Sequence, residues 1–381
     1  MRVAIDARPA VSAGMTGVGF YARELIRRLP EVDPGTTYIP WYLNARRVVR
    51  PWRWSRRFFP QRSNVEERWT PFPATWFERL SLSAELPRLE WLLRFDVLFA
   101  PNFVPPPTRS HRLVVTVHDL AYRRFPETAP QATRRWLGRL ERTLGRAAEI
   151  IAVSEATKQD LIELYAVDPG RVTVIHHGVD HERYRPPSPE EMDRVRLRFG
   201  LDGPYVVFVG GIEPRKNLPA LGRAFATVGG DLRLVVAGSS VPWNPEGRTA
   251  LDRSLGSLPT QARARIEFTG YVSERDKVGL LGGAEALVFP SLYEGFGFPV
   301  VEAMACGTPV LTSNVSSLPE IAGDAALLVD PRDEESIAGG IRRVVEDGDL
   351  RSRLRERGLA RAQSFRWEET ARRTAEVLRR A

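Results

Sequence analysis

Glu294 and Glu302 stand eight positions apart in FPSLYEGFGFPVVEAMACGTPV, the stretch from Phe289 to Val310, with a glycine-rich turn and the start of a helix between them. Ala286 to Phe289 (ALVF) reads as the end of a buried strand, and Gly295, Phe296, Gly297 and Phe298 read as loop. Pro299 suits a first helical turn, where its missing N–H has no partner to lose. The helix then runs from Val300 to Cys306, with Gly307 as its C-terminal cap and Pro309 preventing continuation. Loop and helix start leave backbone N–H groups unpaired, which makes an anion-binding concavity. A carboxylate on each side suits a ligand that carries both hydroxyls and phosphates, because carboxylates accept from hydroxyls while amides hold phosphate oxygens. A nucleotide-sugar has that chemistry. The plainer alternative gives Glu302 to the helix dipole and Glu294 to solvent.

A second group of candidates lies upstream. Tyr205 to Val209 reads as a strand, and Gly210-Gly211-Ile212-Glu213-Pro214-Arg215-Lys216-Asn217-Leu218 turns from it into a helix with Asn217 as N-cap. Arg215 and Lys216 therefore stand at a strand end beside a helix N-terminus. Two fixed cations there would bind a diphosphate, Arg as a bidentate fork and Lys as a point charge; an ordinary solvated pair is the alternative. Leu113 to His118 (LVVTVH) is another strand, and it delivers His118 and Asp119 at its C-terminal end, where ligands bind in doubly wound sheets. A lone histidine is more often structural. Near the start, the strand Val3 to Asp6 leads through SAGMTG to a helix from about Gly19 to Leu29, so Gly17 and Gly19 form a weak phosphate-turn signal. The spacing is neither a dinucleotide fingerprint nor a P-loop.

These positions need scaffolding. With 381 residues, 43% of them hydrophobic, the chain is long enough for two domains of about 180 residues. Strand and helix alternate twice, and the break between the two series is the proline-rich, polar stretch HERYRPPSPEE, so the domains read as 1–183 and 184–366. Further strands read at Asp96 to Ala100, IIAVS, RVTVIHHGVD, Leu232 to Gly238, Ile266 to Gly270 and ALLVD; helices read at 128–147, at SEATKQDLIELY with Ser154 as N-cap, and at the C-terminus from about Trp367. The expected class is α/β with parallel sheets.

One cysteine, Cys306, argues against a disulfide framework and reads as a small buried core residue. The chain opens directly into a strand with no signal sequence and holds no apolar run of membrane-spanning length, so a cytoplasmic protein is expected. A net charge of +8 raises nucleic acid as a partner, but no zinc spacing, recognition helix or RNA-binding aromatic signature accompanies it. Residues 41–62 hold seven arginines, no acid and several Trp and Phe residues. Such interleaving fits an anionic membrane surface as well as it fits a solvated loop, so the protein could sit peripherally on the inner face of the membrane. Asp347-Gly348-Asp349 matches the Asp-x-Asp string of metal-dependent transferases but lies between two arginine-rich helices, away from any strand end, and reads as a turn.

The Phe289–Val310 wording closely resembles the Glu, seven residues, Glu motif of retaining glycosyltransferases with the GT-B fold, specifically glycosyltransferase family four, and the resemblance runs over nearly the whole chain. It implies two doubly wound, Rossmann-like domains facing each other across a cleft, the N-terminal one choosing the acceptor and the C-terminal one holding the donor, with the helix of about 367–381 crossing back to the first domain. The GGIEPRKNL wording is similar to the family's diphosphate site, and HDL at 118–120 to its donor and acceptor contact. By the same resemblance Gly17 and Gly211 approach the donor diphosphate, Tyr271 and Val272 seat the base, Glu302 grips the ribose, and Glu294 holds a sugar hydroxyl with amides of Gly295, Phe296, Gly297 and Phe298 orienting sugar and phosphates. No metal and no cofactor are expected, since Arg215 and Lys216 take the charge-stabilising role.

IDAR, TGVGFYARELIRRL, HDL and EPRKNL together look most like members that transfer mannose from GDP-mannose in polysaccharide or O-antigen assembly, to a glycan or lipid-linked acceptor. Three other readings compete: a UDP-sugar-dependent transferase, a hydrolysing sugar-nucleotide epimerase of the same fold, and a non-catalytic nucleotide-sugar-binding protein. Retention would proceed by front-face attack, or by double displacement with Glu294 as nucleophile.

Overall fold

A computed structural model describes residues 1–12, 17–45, 58–126, 131–239 and 245–381. The chain forms two compact units: Met1–Leu120, Gln131–Gly178 and Trp367–Ala381 make the first, Ala121–Pro130 and Val179–Arg366 the second. The main passage from one to the other falls at Gly178 and Val179, just ahead of the proline-rich stretch.

The first unit is built on a seven-stranded sheet of β1 (Arg2–Asp6), β2 (Thr37–Leu43), β3 (Arg68–Thr70), β4 (Val97–Ala100), β5 (Leu113–Val117), β6 (Glu149–Ala152) and β7 (Val172–Val174), in the order β3-β2-β1-β4-β5-β6-β7. Every pairing is parallel. All residues of β4 and β5 are buried, as a sheet covered on both faces requires. The order reverses between β1 and β4, so the C-terminal ends of these strands open a crevice.

The second unit repeats the plan with six parallel strands: β8 (Tyr205–Val209), β9 (Arg233–Ala237), β10 (Ile266–Gly270), β11 (Ala286–Phe289), β12 (Val310–Ser313) and β13 (Ala326–Val329), ordered β10-β9-β8-β11-β12-β13. Its reversal lies between β8 and β11, the two strands that lead into the Arg215 and Glu294 loops. Where β8 and β9 leave the sheet, their backbones come so close that a Cβ on Gly238 would lie 1.8 Å from the Gly210 carbonyl oxygen. Only glycine fits there.

Several boundaries differ from the sequence reading. The first helix spans Gly17–Val32 with Pro30 in its last turn, so it begins before and ends beyond the Gly19 to Leu29 read from the sequence. Gly17 is its first residue and not part of a turn. Asn217 precedes helix Leu218–Ala226 with φ 62°, but its side chain makes no cap; its Nδ2 instead donates to the carbonyls of Pro290 and Pro331 at 3.2 and 2.6 Å. Ser154 does cap its helix, accepting from the Thr157 amide at 3.1 Å. Asp347 caps helix Gly348–Ala362 through the Leu350 amide, so Asp347-Gly348-Asp349 is a helix start. Of the arginine-rich stretch 41–62, residues 46–57 lie outside the described residues. Among those described, no helix is long and apolar enough to cross a membrane.

The last helix, Trp367–Arg380, belongs to the first unit. Trp367, Ala371, Thr374, Ala375 and Leu378 recur at helical spacing and are buried, forming one apolar stripe. The Trp367 ring meets Phe20 and Tyr21 of helix Gly17–Val32 at centroid distances of 5.8 and 6.1 Å, and Thr370 Oγ1 donates to the His176 carbonyl at 2.8 Å. Trp367→Ala is expected to destabilise the chain by about 3–5 kcal/mol, as for other buried large aromatics, measured by urea denaturation followed by circular dichroism; a loss below about 1 kcal/mol would show that the helix is not anchored there.

Candidate active site

The second unit gathers its charged groups at the β8–β11 reversal. Beyond β8 the chain makes a single turn of 3-10 helix, Pro214–Lys216, and beyond β11 it runs through Ser291 to Glu294; the Leu292 amide donates to the Arg215 carbonyl at 2.8 Å and ties the two loops together. Glu294, 7% exposed, receives Lys216 Nζ on Oε1 at 2.5 Å and an Arg215 guanidinium nitrogen on Oε2 at 2.9 Å. Arg215 also reaches Glu213 Oε2 at 3.0 Å, and Lys216 Nζ lies 4.7 Å from the centre of the Phe289 ring. Two bases and two acids close on one another.

The protonation states follow from this enclosure. Burial opposes charge on Glu294, but the Arg215 and Lys216 cations outweigh it and hold the carboxyl at about 2. Burial pulls the Lys216 ammonium below its usual range, and Arg215 adds to the pull against the attraction of Glu294.

The loop is fixed by its neighbours. The Glu294 amide donates to Ser316 Oγ at 3.0 Å, and Ser317 Oγ donates to the carbonyls of Glu294 and Phe296 at 2.9 and 3.1 Å. Ser316 adopts φ 55°, a conformation rare and strained for serine and kept where the surroundings over-determine it. Gly297 has φ 100°, and a Cβ there would meet Leu318 at 2.8 Å. Helix Phe298–Ala305 starts immediately after, with Pro299 in its first turn and Gly307 (φ 73°) beyond its end.

Glu302, on that helix, sits in a separate cluster. Its Oε2 pairs with Lys277 Nζ at 3.0 Å, and Lys277 reaches Glu274 Oε1 at 3.2 Å. The Tyr184 hydroxyl donates to Glu274, and its ring lies 5.0 Å below the Lys277 ammonium. Burial and the two carboxylates push the Tyr184 phenol far above its usual range; burial works against the Lys277 charge, but Glu302 and Glu274 raise it overall. Tyr184 and Lys277 were not singled out in the sequence, where one looks like part of a linker and the other like a helical surface lysine. Tyr271 and Val272 follow β10, two strands from β8 and so about 10 Å away; Tyr271 is 78% exposed and Val272 is buried.

His118 and Gly17 belong to the first unit. His118 Nε2 lies 2.8 Å from the Pro101 carbonyl, an acceptor only, so this nitrogen carries the proton and Nδ1 accepts from His177 Nε2 at 3.4 Å. Tyr21 packs edge-on against both rings, and burial lowers both histidines, His177 the more. His118 is therefore a neutral imidazole with both nitrogens engaged. Only the adjacent HHG wording could have pointed to His177. Among the described residues no three His, Cys, Asp or Glu side chains gather as a metal site would need.

Comparison with known proteins fits this architecture. Residues 15–183 match the family described as Glycosyltransferase Family 4, and residues 189–361 match Glycosyl transferases group 1. O-antigen chain mannosyltransferase B of Escherichia coli is 34% identical over 291 residues, 74% of this chain and 74% of that one. Serotype-specific mannosyltransferase WbdA of Escherichia coli is 32% identical over 59% of this chain, which spans only 28% of that longer protein. Among solved structures, sucrose-phosphate synthase from Thermosynechococcus elongatus superposes with a TM-score of 0.74 over 99% of this chain and 98% of its own at 22% identity, a likeness of fold. The fold is α/β of the GT-B class.

Because the Glu294 carboxyl is held below its ordinary value of 4.5, its contribution to stability is fully present above that pH and is lost as pH falls towards 2. Glu294→Gln is expected to cost about 3 kcal/mol at neutral pH, with the gap to the parent chain closing between these two values. Urea denaturation as a function of pH measures it; a gap independent of pH would contradict the charge cluster.

Proposed function

The chain belongs to the family-four, group 1 glycosyltransferases, and from that membership we propose a retaining hexosyltransferase that takes mannose from GDP-mannose and passes it to a glycan or lipid-linked glycan in polysaccharide or glycoconjugate assembly. The observation that carries this reading is the Lys216–Glu294–Arg215 cluster at the β8–β11 reversal, where a doubly wound sheet binds its ligand. The likeness to O-antigen mannosyltransferases supports mannose.

In the free protein the cations are neutralised by carboxylates; a diphosphate takes the place of Glu294 on Arg215 and Lys216 and leaves Glu294 to accept from a sugar hydroxyl. Gly211 and the amides of Gly295 to Phe298 complete the phosphate and sugar contacts, Glu302 takes the ribose hydroxyls with Lys277 holding it in place, and Tyr271 and Val272 flank the base. As the bond from C1 to the phosphate oxygen breaks, the two cations stabilise the charge that develops on the departing diphosphate, the part a divalent cation plays elsewhere. The acceptor oxygen bonds to C1 on the same face, and its proton goes to the leaving phosphate oxygen. Gly17 contacts the diphosphate, and His118, neutral, orients the sugar and the reacting hydroxyl and does not serve as a base. The 41–62 stretch would hold the protein to an anionic, cytoplasmic membrane face where a lipid-linked acceptor resides.

Calorimetric titration is expected to show GDP binding at least about tenfold more tightly than UDP, a gap of about 1.4 kcal/mol; equal affinities or a preference for UDP would end the GDP-mannose reading and leave the transferase one. Arg215→Ala and Lys216→Ala are each expected to weaken nucleoside diphosphate binding by about 1.5–3 kcal/mol, and chelator should leave turnover intact. Activity abolished by EDTA and restored by Mn²⁺ or Mg²⁺ would overturn the metal-free mechanism.

A further inference from the structure

A cavity of about 350 Å³ in the first unit is lined by Glu85, Arg88, Thr108, Arg109, His111 and Arg146, and a smaller one shares Glu85, Thr108 and Arg146 and adds Arg139 and Arg142. We propose that this arginine-lined cavity is a second ligand site, one that takes a phosphate group. It lies at the opposite end of β5 from His118: Leu113, the first residue of that strand, lines the smaller cavity, and five residues of extended chain put about 15 Å between the two ends.

Three observations support it. The charge is unbalanced, because five arginines face two carboxylates, Glu85 and Glu90. Each named contact uses only part of a five-donor guanidinium: Arg142 gives Glu85 a nitrogen at 2.7 Å, Arg146 donates to the Thr108 carbonyl, and Arg139 to the Ser81 carbonyl. The wall is also fixed in place, since Glu90 accepts from the amides of Arg109 and Ser110 at 2.7 and 2.9 Å and from the Thr108 hydroxyl, which holds the loop that presents Arg109. Burial, and after it the neighbouring Arg142 and Arg8 charges, pull the Arg139 guanidinium below its usual range against the attraction of Glu85.

A helix dipole does not account for the cluster. Arg142 and Arg146 lie near the C-terminal end of helix Gln131–Arg146, where cations are favoured, but Arg88 and Arg109 come from other segments and converge on the same space. Arginines drawn from three segments supply the forked donors that phosphate oxygens accept, whether the phosphate belongs to a soluble ester or to a lipid headgroup.

The test uses the full chain with two probes: inorganic phosphate titrated by calorimetry, and flotation with phosphatidylcholine vesicles made with or without phosphatidylglycerol. Arg109→Gln combined with Arg146→Gln, and Arg109→Gln alone on its exposed loop, are compared with Arg353→Gln combined with Arg357→Gln, which removes the same charge from helix Gly348–Ala362. Binding is expected to fall by about tenfold or more in the cavity variants and to stay within about twofold in the control pair. Phosphate binding that the cavity variants lose, with no vesicle preference, identifies a soluble ester as the ligand; vesicle binding that requires phosphatidylglycerol and that the cavity variants lose identifies a headgroup. No binding to either probe, binding unchanged in the cavity variants, or an equal loss in the control pair overturns the site.

Discussion

Three charged side chains, buried Lys216 and Glu294 and half-buried Arg215, set the character of the second unit. An ion pair removed from water stabilises only when its geometry is good and its remaining donors are occupied; losing one partner leaves an uncompensated buried charge. That constraint explains why so much nearby structure is specialised: left-handed Asn217 and Ser316, the Gly238–Gly210 approach, and serine hydroxyls pinning the backbone on either side of Glu294. The strand order brings together two loops 78 positions apart in sequence.

The positive groups of this cluster are already matched by carboxylates, so under the proposed function an incoming diphosphate would substitute one anion for another without opening a dry pocket to an unpaired charge. Glu302 with Lys277 and Tyr184 repeats the arrangement on a smaller scale, a carboxylate held still by a neighbouring ammonium.

The parts of this organisation that could be read from the sequence are those in which physics acts locally. VLFA, LVVTV, YVVFV and ALVF are apolar runs because parallel strands are covered on both faces, and Gly297, Pro299 and Gly307 mark a helix start and end because the glycines take left-handed backbone that other residues avoid and proline is held to one φ. β2 was hidden by Pro40, which cannot donate to a ladder, and β3 by its three-residue length. Long-range pairing was the other gap: nothing local in EPRKNL says that Lys216 will meet Glu294, and nothing in RYRPP says that Tyr184 will close over Lys277. Asn217 was assigned to the cap by its position alone, whereas its side chain is drawn away by two carbonyls that arrive from remote strands.

The helix Trp367–Arg380 completes a unit whose other segments end at Gly178. During synthesis, the apolar faces of Phe20 and Tyr21 leave the ribosome long before the Trp367 side that covers them exists. Translation of the intervening stretch takes on the order of ten to forty seconds at ordinary elongation rates. While residues 179–366 are being made, the nascent first unit carries an open hydrophobic seam that it cannot yet close, so helix Trp367–Arg380 acts as a late latch on helix Gly17–Val32, and a ribosome that stalls within the second unit releases a product prone to association.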